Sequence, residues 1–269
     1  MKTVGIISNT LSATLSKELT VFTRYLPNMI GTVLQLGLRL VFFLFFSGVA
    51  SYSGVLRGKG LFLFFGAALL LYIFYSTSIW APLNAVTNDL YNGTLEYLYI
   101  TPSSKFSYYF GTGISSIILN MIFFIPMFIF ICLYSRIGLW QEAALLLSIA
   151  VGILNCISIG VLISLLGIIW KQVGSITGIL SVLFEFLAGA YAPVQSYPYA
   201  IRCMAYSLPF TWGYDLARHY LLGNVWEPLA PPALEWFIYV SMAAGYTAIA
   251  YVLMAKIQTR VTKSGLSGI

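Results

Sequence analysis

The chain has 269 residues, 59% of them hydrophobic and only 8% charged, and its mean hydropathy is +0.88. A soluble domain carries roughly 25% charged residues, so this composition excludes one and points to an integral membrane protein. The net charge of +6 comes from 14 Lys and Arg scattered between apolar runs, without the basic block that a nucleic-acid partner would require.

Residues 1–28 open the chain with Leu11, Leu15, Leu19, Phe22 and Leu26 on one helical face, while Lys17, Glu18 and Arg24 fall elsewhere on the wheel. The pattern predicts an amphipathic helix lying in the membrane surface. It does not read as a secretory signal, because the apolar start Val4 to Ile7 is short and soon turns polar. Six apolar runs follow, Met29–Ala50, Leu61–Leu83, Phe106–Tyr134, Ala143–Trp170, Val173–Tyr191 and Leu234–Ala255. A bilayer core about 30 Å thick takes about 20 apolar residues per helix. The expected fold class is therefore all-α, with six transmembrane helices in one domain spanning 1–269. Spans one to five occupy 29–191, and span six with its tail occupies 234–269.

An even number of spans places both termini on one side. With that side cytoplasmic, eight Lys and Arg lie inside and five outside, and Arg39 lies within the membrane. The positive-inside bias thus favours cytoplasmic termini. In this frame 88–102 is an intracellular loop, and 192–233 forms the outer segment. There Pro198 reads as a helix start, Leu208-Pro209 as its stop, and Thr211 as the cap of a second helix that Gly223 ends. Both helices are too apolar for open water and are expected to dip back into the outer leaflet.

Few residues offer chemistry. No GxxxxGK[ST] occurs, so the chain is not expected to hydrolyse ATP itself. The three cysteines form no CxxC, and the single histidine, His219, has Asp215 and Arg218 on its helix but no metal-ligand set, so it is expected on a solvated polar face. Arg39 sits near the middle of the first span, where an arginine costs about 2.5–3.5 kcal/mol to insert. With Gln35 one turn away, it is expected either to pair with Glu185 of the fifth span or to line a polar cavity. Asn88, Asp89, Asn92 and Gly93 favour a turn, and Thr94 to Tyr99 a short helix stopped at Thr101-Pro102. Leu95, Leu98 and several tyrosines, with Asp89 and Glu96 among them, read either as a knob that docks into a cytosolic partner or as an interfacial turn on lipid headgroups.

The stretch "NDLYNGTLEYLYITPSSKFSYYFGTGI", 88–114, resembles the segment after the second span of ABC-2 type permeases. "LAGAYAPVQSYPYAIRCMAYSLPFTWGYDLARHYLLG", 187–223, looks like the other hallmark of that family, with a Leu-Pro and then Asp-x-x-Arg before a closing Leu-Leu-Gly. The resemblance implies the membrane half of an ATP-driven exporter in a bacterial or archaeal cell membrane. It implies a second permease copy or relative, and separate nucleotide-binding subunits that hold the ATP and magnesium. Asp89, Gly93, Thr94, Leu95 and Glu96 would then form a coupling helix against the ATPase. Pro193, Pro198, Pro209, Asp215 and Arg218 would belong to the outer re-entrant helices that gate the exit. The rival readings are a lipid-modifying membrane enzyme, for which no clustered acids appear, and a secondary carrier or channel, for which no repeated halves appear.

Overall fold

A computed structural model describes residues 9–10, 12–17, 20, 26–49, 58–101, 103–170 and 174–264, with the side chains of 26–29, 32, 46–49, 168–170, 174–178 and 260–264 left aside. Residues 9–10, 12–17 and 20 are helical; Leu11, Glu18, Leu19, Phe22 and Arg24 of the expected amphipathic face, and Pro102, lie outside the described residues. Among the described residues the regular structure is entirely helical. The long elements are α1 (Leu26–Val49), α2 (Lys59–Tyr91), then after the short α3 (Leu95–Ile100), α4 (Lys105–Ser135) and α5 (Leu139–Trp170). They are followed by α6 (Gly174–Leu187), α7 (Tyr199–Tyr206), α8 (Pro209–Leu222) and α9 (Pro232–Ser264).

Four of these helices, α2, α4, α5 and α9, are long and apolar enough to cross a membrane. The expected six spans are therefore matched by four among the described residues. Over its 14 described residues α6 reaches about 21 Å at 1.5 Å per residue, less than a hydrocarbon core; residues 171–173 ahead of it lie outside the described residues.

α2 is the axis of the bundle, with most of its circumference buried against α4, α5 and α8. Pro82 removes one helical N–H and leaves the Ser78 carbonyl without its usual i+4 donor. α5 comes closest at that point. A Cβ on Gly160 would lie 2.8 Å from Ser78 O and 2.6 Å from Ile79 O, so only glycine lets the two backbones meet. A second junction joins α2, α5, α8 and α9. The Tyr75 and Tyr239 hydroxyls lie 3.3 Å apart, and both crowd the space where a side chain on Gly152 or Gly213 would begin.

α9 is fastened to α5 by Ser158 and Thr247, whose hydroxyls are 2.7 Å apart. It also receives Phe106 of α4 edge-on against Tyr251 at 5.4 Å. α1 is held more loosely, mainly by Phe43 stacked on Phe65 at 4.7 Å and by polar contacts to Tyr72. Leu36 and Leu40 pack partly against the core, but Leu34, Leu38, Phe42 and Phe45 are exposed, as are Ile179, Val182 and Phe186 of α6. Those two faces need lipid or protein cover.

The segment 192–233 differs from the expected helix signals at Pro209 and Thr211. Pro209 starts α8 as its first helical residue, a position where the missing N–H costs nothing. Thr211 does not cap that helix; its hydroxyl donates to Ala205 O at 2.6 Å and closes the end of α7. Gly223, with φ 56°, ends α8 as expected.

The close approach at Gly160 generates a prediction. Gly160→Ala should destabilise the bundle by about 1–3 kcal/mol, because the new Cβ meets backbone that cannot move aside. Gly245→Ala, where nothing lies within 4 Å, should be neutral or stabilising by up to about 1 kcal/mol. Thermal unfolding of both variants in the same detergent checks the contrast.

Candidate functional site

The turn between α2 and α4 builds a small, rigid protrusion. Gly93 takes φ 66°, a left-handed conformation that lets the chain reverse directly after Asn92. Asp89 organises the turn: its two oxygens accept from Thr94 Oγ1 at 2.9 Å and from the Tyr108 hydroxyl at 2.9 Å. The Thr94 amide also donates to Asp89 O at 2.9 Å. Lys17 Nζ donates to the Tyr108 hydroxyl at 3.2 Å, which ties the amino-terminal segment to the same cluster.

On the other side of α3, Lys105 is fully buried, and its ammonium donates to Thr101 O at 2.7 Å and Ser103 O at 3.0 Å. It thereby satisfies carbonyls that the helix end leaves unpaired. Burial pushes the Tyr99 phenol up to about 12, so it stays neutral beside that ammonium.

This arrangement divides the predicted residues into anchors and outward groups. Leu95 is only 2% exposed and Tyr99 is buried, so Leu95 roots the protrusion in the bundle and does not stand outside it as expected. The apolar groups that do point outward are Tyr91, Tyr97 and Ile100, exposed by 79%, 72% and 81%, with Glu96 beside them. Tyr97 and Ile100 lie three apart on one helical face. Their spacing was legible in the sequence; which leucine turned inward was not.

The residues expected in the outer segment are positioned by α8, which penetrates the bundle. Its Phe210 packs on Tyr75 at 5.1 Å and its Arg218 on Phe64 at 3.6 Å. Phe64 and Tyr75 are about 16 Å apart along α2 at 1.5 Å per residue. Arg218 and Asp215 are 2% and 3% exposed. Arg218 Nη2 donates to Gly189 O at 2.7 Å and Ala190 O at 3.1 Å, filling the carbonyls at the end of α6. Asp215 accepts from Trp226 Nε1 at 3.0 Å and from the Leu229 amide at 2.8 Å. Burial follows from position: α8 is surrounded by α2, α5 and α9, and its polar groups find hydrogen-bond partners inside. Pro193 is buried ahead of a 3-10 turn, Pro198 is exposed at the start of α7, and Pro209 is buried at the start of α8.

Arg39 and Glu185 meet. Arg39 Nη1 donates to Glu185 Oε1 at 2.9 Å, and the guanidinium lies 3.6 Å over the Tyr72 ring. The Tyr191 hydroxyl donates to Glu185 Oε2 at 2.6 Å, and Gln35 Nε2 donates to the Tyr72 hydroxyl at 3.2 Å. Both alternatives read from the sequence hold together, because the pair also borders a cavity lined by Gln35, Tyr72 and Trp80. Sequence reasoning missed Tyr72, which holds Arg39 through its ring face; an aromatic in an apolar run carries no signal of that role. Among the described residues no group of three or more His, Cys, Asp or Glu is placed to hold a metal.

Compared with family models and with curated proteins, this sequence matches none.

Two predictions follow the geometry of the buried arginines. A double-mutant cycle of Arg39→Met and Glu185→Gln should give a coupling of about 1–3 kcal/mol in thermal or denaturant unfolding, whereas independent residues would add. Arg218→Met should destabilise by at least about 2 kcal/mol, since it strands the Gly189 and Ala190 carbonyls away from water; unfolding midpoints measured against wild type decide this.

Proposed function

We propose that this chain is the membrane-spanning permease half of an ATP-driven exporter, working with a second permease chain and with separate ATPase subunits. The observation that carries the reading is the α3 protrusion. It is short, cross-braced through Asp89, Tyr108 and Lys105, and it presents Tyr91, Tyr97 and Ile100 to solvent with Glu96 among them. Aromatic side chains of this kind contribute most of the energy at protein interfaces. A lever also has to be stiff, because a ligand shifts a conformational equilibrium only through contacts that differ between the two states. The resemblance of 88–114 and 187–223 to ABC-2 permeases supports the same reading.

In this proposal both termini and α3 face the cytoplasm, and α1 and α6 complete six membrane-embedded helices. α7 and α8 form the outer re-entrant pair. ATP binding closes the two ATPase subunits, α3 moves with the subunit it is seated in, and the permease pair passes between inward-open and outward-open populations. The chain itself carries no catalytic residue; ATP and magnesium belong to the partner subunit. A metal-dependent lipid-modifying enzyme would need a cluster of acids or histidines, and among the described residues no group of three or more is placed to hold a metal.

Purification of the tagged chain from its own membranes tests the proposal. The wild type should bring down a subunit bearing GxxxxGK[ST] with ATPase activity, and Tyr97→Asp or Ile100→Asp should lower the yield of that complex at least about tenfold with the permease still folded, since each change removes an anchor of about 2 kcal/mol. A cysteine at position 97, in a background lacking the exposed Cys203, should react with an impermeant thiol reagent from the cytoplasmic side alone. Reaction from the outside, or full transport without an ATPase subunit, rejects the reading.

A further inference from the structure

Between α1, α2, α6 and α8 lies a cavity of about 250 Å³. Its polar rim is made by Gln35, Arg39, Ser181 and Glu185, and Trp80 and Tyr214 contribute aromatic wall. The two charges in it are already matched, through the 2.9 Å bond between them. An ion entering the cavity would therefore meet one like and one unlike charge at similar range, and the attraction and repulsion would largely cancel. An uncharged group with oxygen acceptors and hydroxyls fares better. Arg39 offers five N–H donors, of which Glu185 takes one, and the cavity is also lined by Trp80, Ser181 and Gln35, side chains that carry an indole N–H, a hydroxyl and an amide.

A second feature sets the shape of the ligand. Val182 lines this cavity and also a groove of about 590 Å³ whose other walls are Ile179, Leu183, Phe186, Leu187 and Ile201. That groove has hydrocarbon on every named side. A polar cavity and an apolar groove that share one residue are complementary to a molecule with a polar end and an apolar end. Moving a hydrocarbon chain from lipid into the groove changes one apolar contact for another, so the groove guides the chain while the cavity selects the head.

We propose that the cavity and groove together form a binding site, inside one copy of this chain, for a single-chain amphiphile with an uncharged, oxygen-bearing head drawn from the bilayer. The head sits at the Arg39–Glu185 pair and the tail runs along α6. The site needs neither ATP nor a partner, so its test is separate from that of the motor reading above.

Three probes share one palmitoyl-length chain carrying a diazirine and differ only in the head: a monoacylglycerol, the free carboxylate and a trimethylammonium. The purified full chain in phosphatidylcholine nanodiscs is irradiated at rising probe concentration, and the labelled peptides are read by mass spectrometry. The monoacylglycerol should label 179–187 and 201 saturably, with half-saturation at least about tenfold below that of either charged probe. Val182→Trp, at a side chain 66% exposed and so free of any core to disturb, should abolish that labelling, as should Ser181→Trp, which fills the cavity from α6. Glu185→Gln leaves Arg39 uncompensated and should bring the carboxylate probe level with the monoacylglycerol. Labelling that does not saturate, equal half-saturation for all three heads, or unchanged labelling in both tryptophan variants overturns the site.

Discussion

Four helices meet at the Tyr75–Tyr239 hydroxyl pair, and they meet there because Gly152 and Gly213 leave room for two phenol rings between backbones. The consequence reaches beyond packing. With Tyr75 fixed, Phe210 and Tyr214 of α8 stack against it at 5.1 and 5.4 Å, and these rings form the back wall of the cavity that Arg39 and Glu185 border. Tyr239 also donates to Ser148 O at 3.2 Å, so the junction extends into α5. In a setting where water does not compete, packing density and small residues decide how closely helices approach. The glycines supply the closeness and the tyrosines supply the polar contact.

The two embedded arginines are stabilised in different ways. Arg218 is enclosed in α8 and spends its donors on main-chain carbonyls that the end of α6 would otherwise leave bare, with Phe64 beneath its guanidinium. It behaves as a structural clamp holding α8 to the end of α6 and to α2. Arg39 meets a carboxylate and an aromatic face at a site 27% open on its side. The first has no room for exchange; the second borders a cavity and is thus placed to respond to what enters it. A shared residue type therefore serves fold in one place and, in the site proposed above, recognition in the other.

The protrusion at α3 shows the same economy. Asp89 and Lys105, which sequence alone would place on the surface as solvated charges, are turned inward to hold a six-residue helix that has too few internal hydrogen bonds to stand alone. Outside stand Tyr91, Tyr97 and Ile100 together with the polar Asn92, Thr94 and Glu96. A loop built only to connect two helices would not be expected to hold three large apolar groups in the open.

Composition and the length of apolar runs determined the helical, membrane-embedded class, because a backbone in hydrocarbon has to satisfy its own hydrogen bonds. The starts of α2 and α9 and both ends of α4 and α5 were legible to within a few residues for that reason, while α2 and α9 run eight and nine residues past their apolar stretches; the turn at Gly93 and the end of α8 at Gly223 were legible because left-handed backbone favours glycine. The sequence could also mark Arg39 as a residue in need of a partner. It could not say that Leu95 points inward, that Asp215 and Arg218 are buried, or that Tyr72 carries Arg39 on its ring. Those outcomes depend on which helices surround α8 and α3 in space, and periodicity reports only the spacing of apolar residues along one helix, never the identity of the atoms that face it.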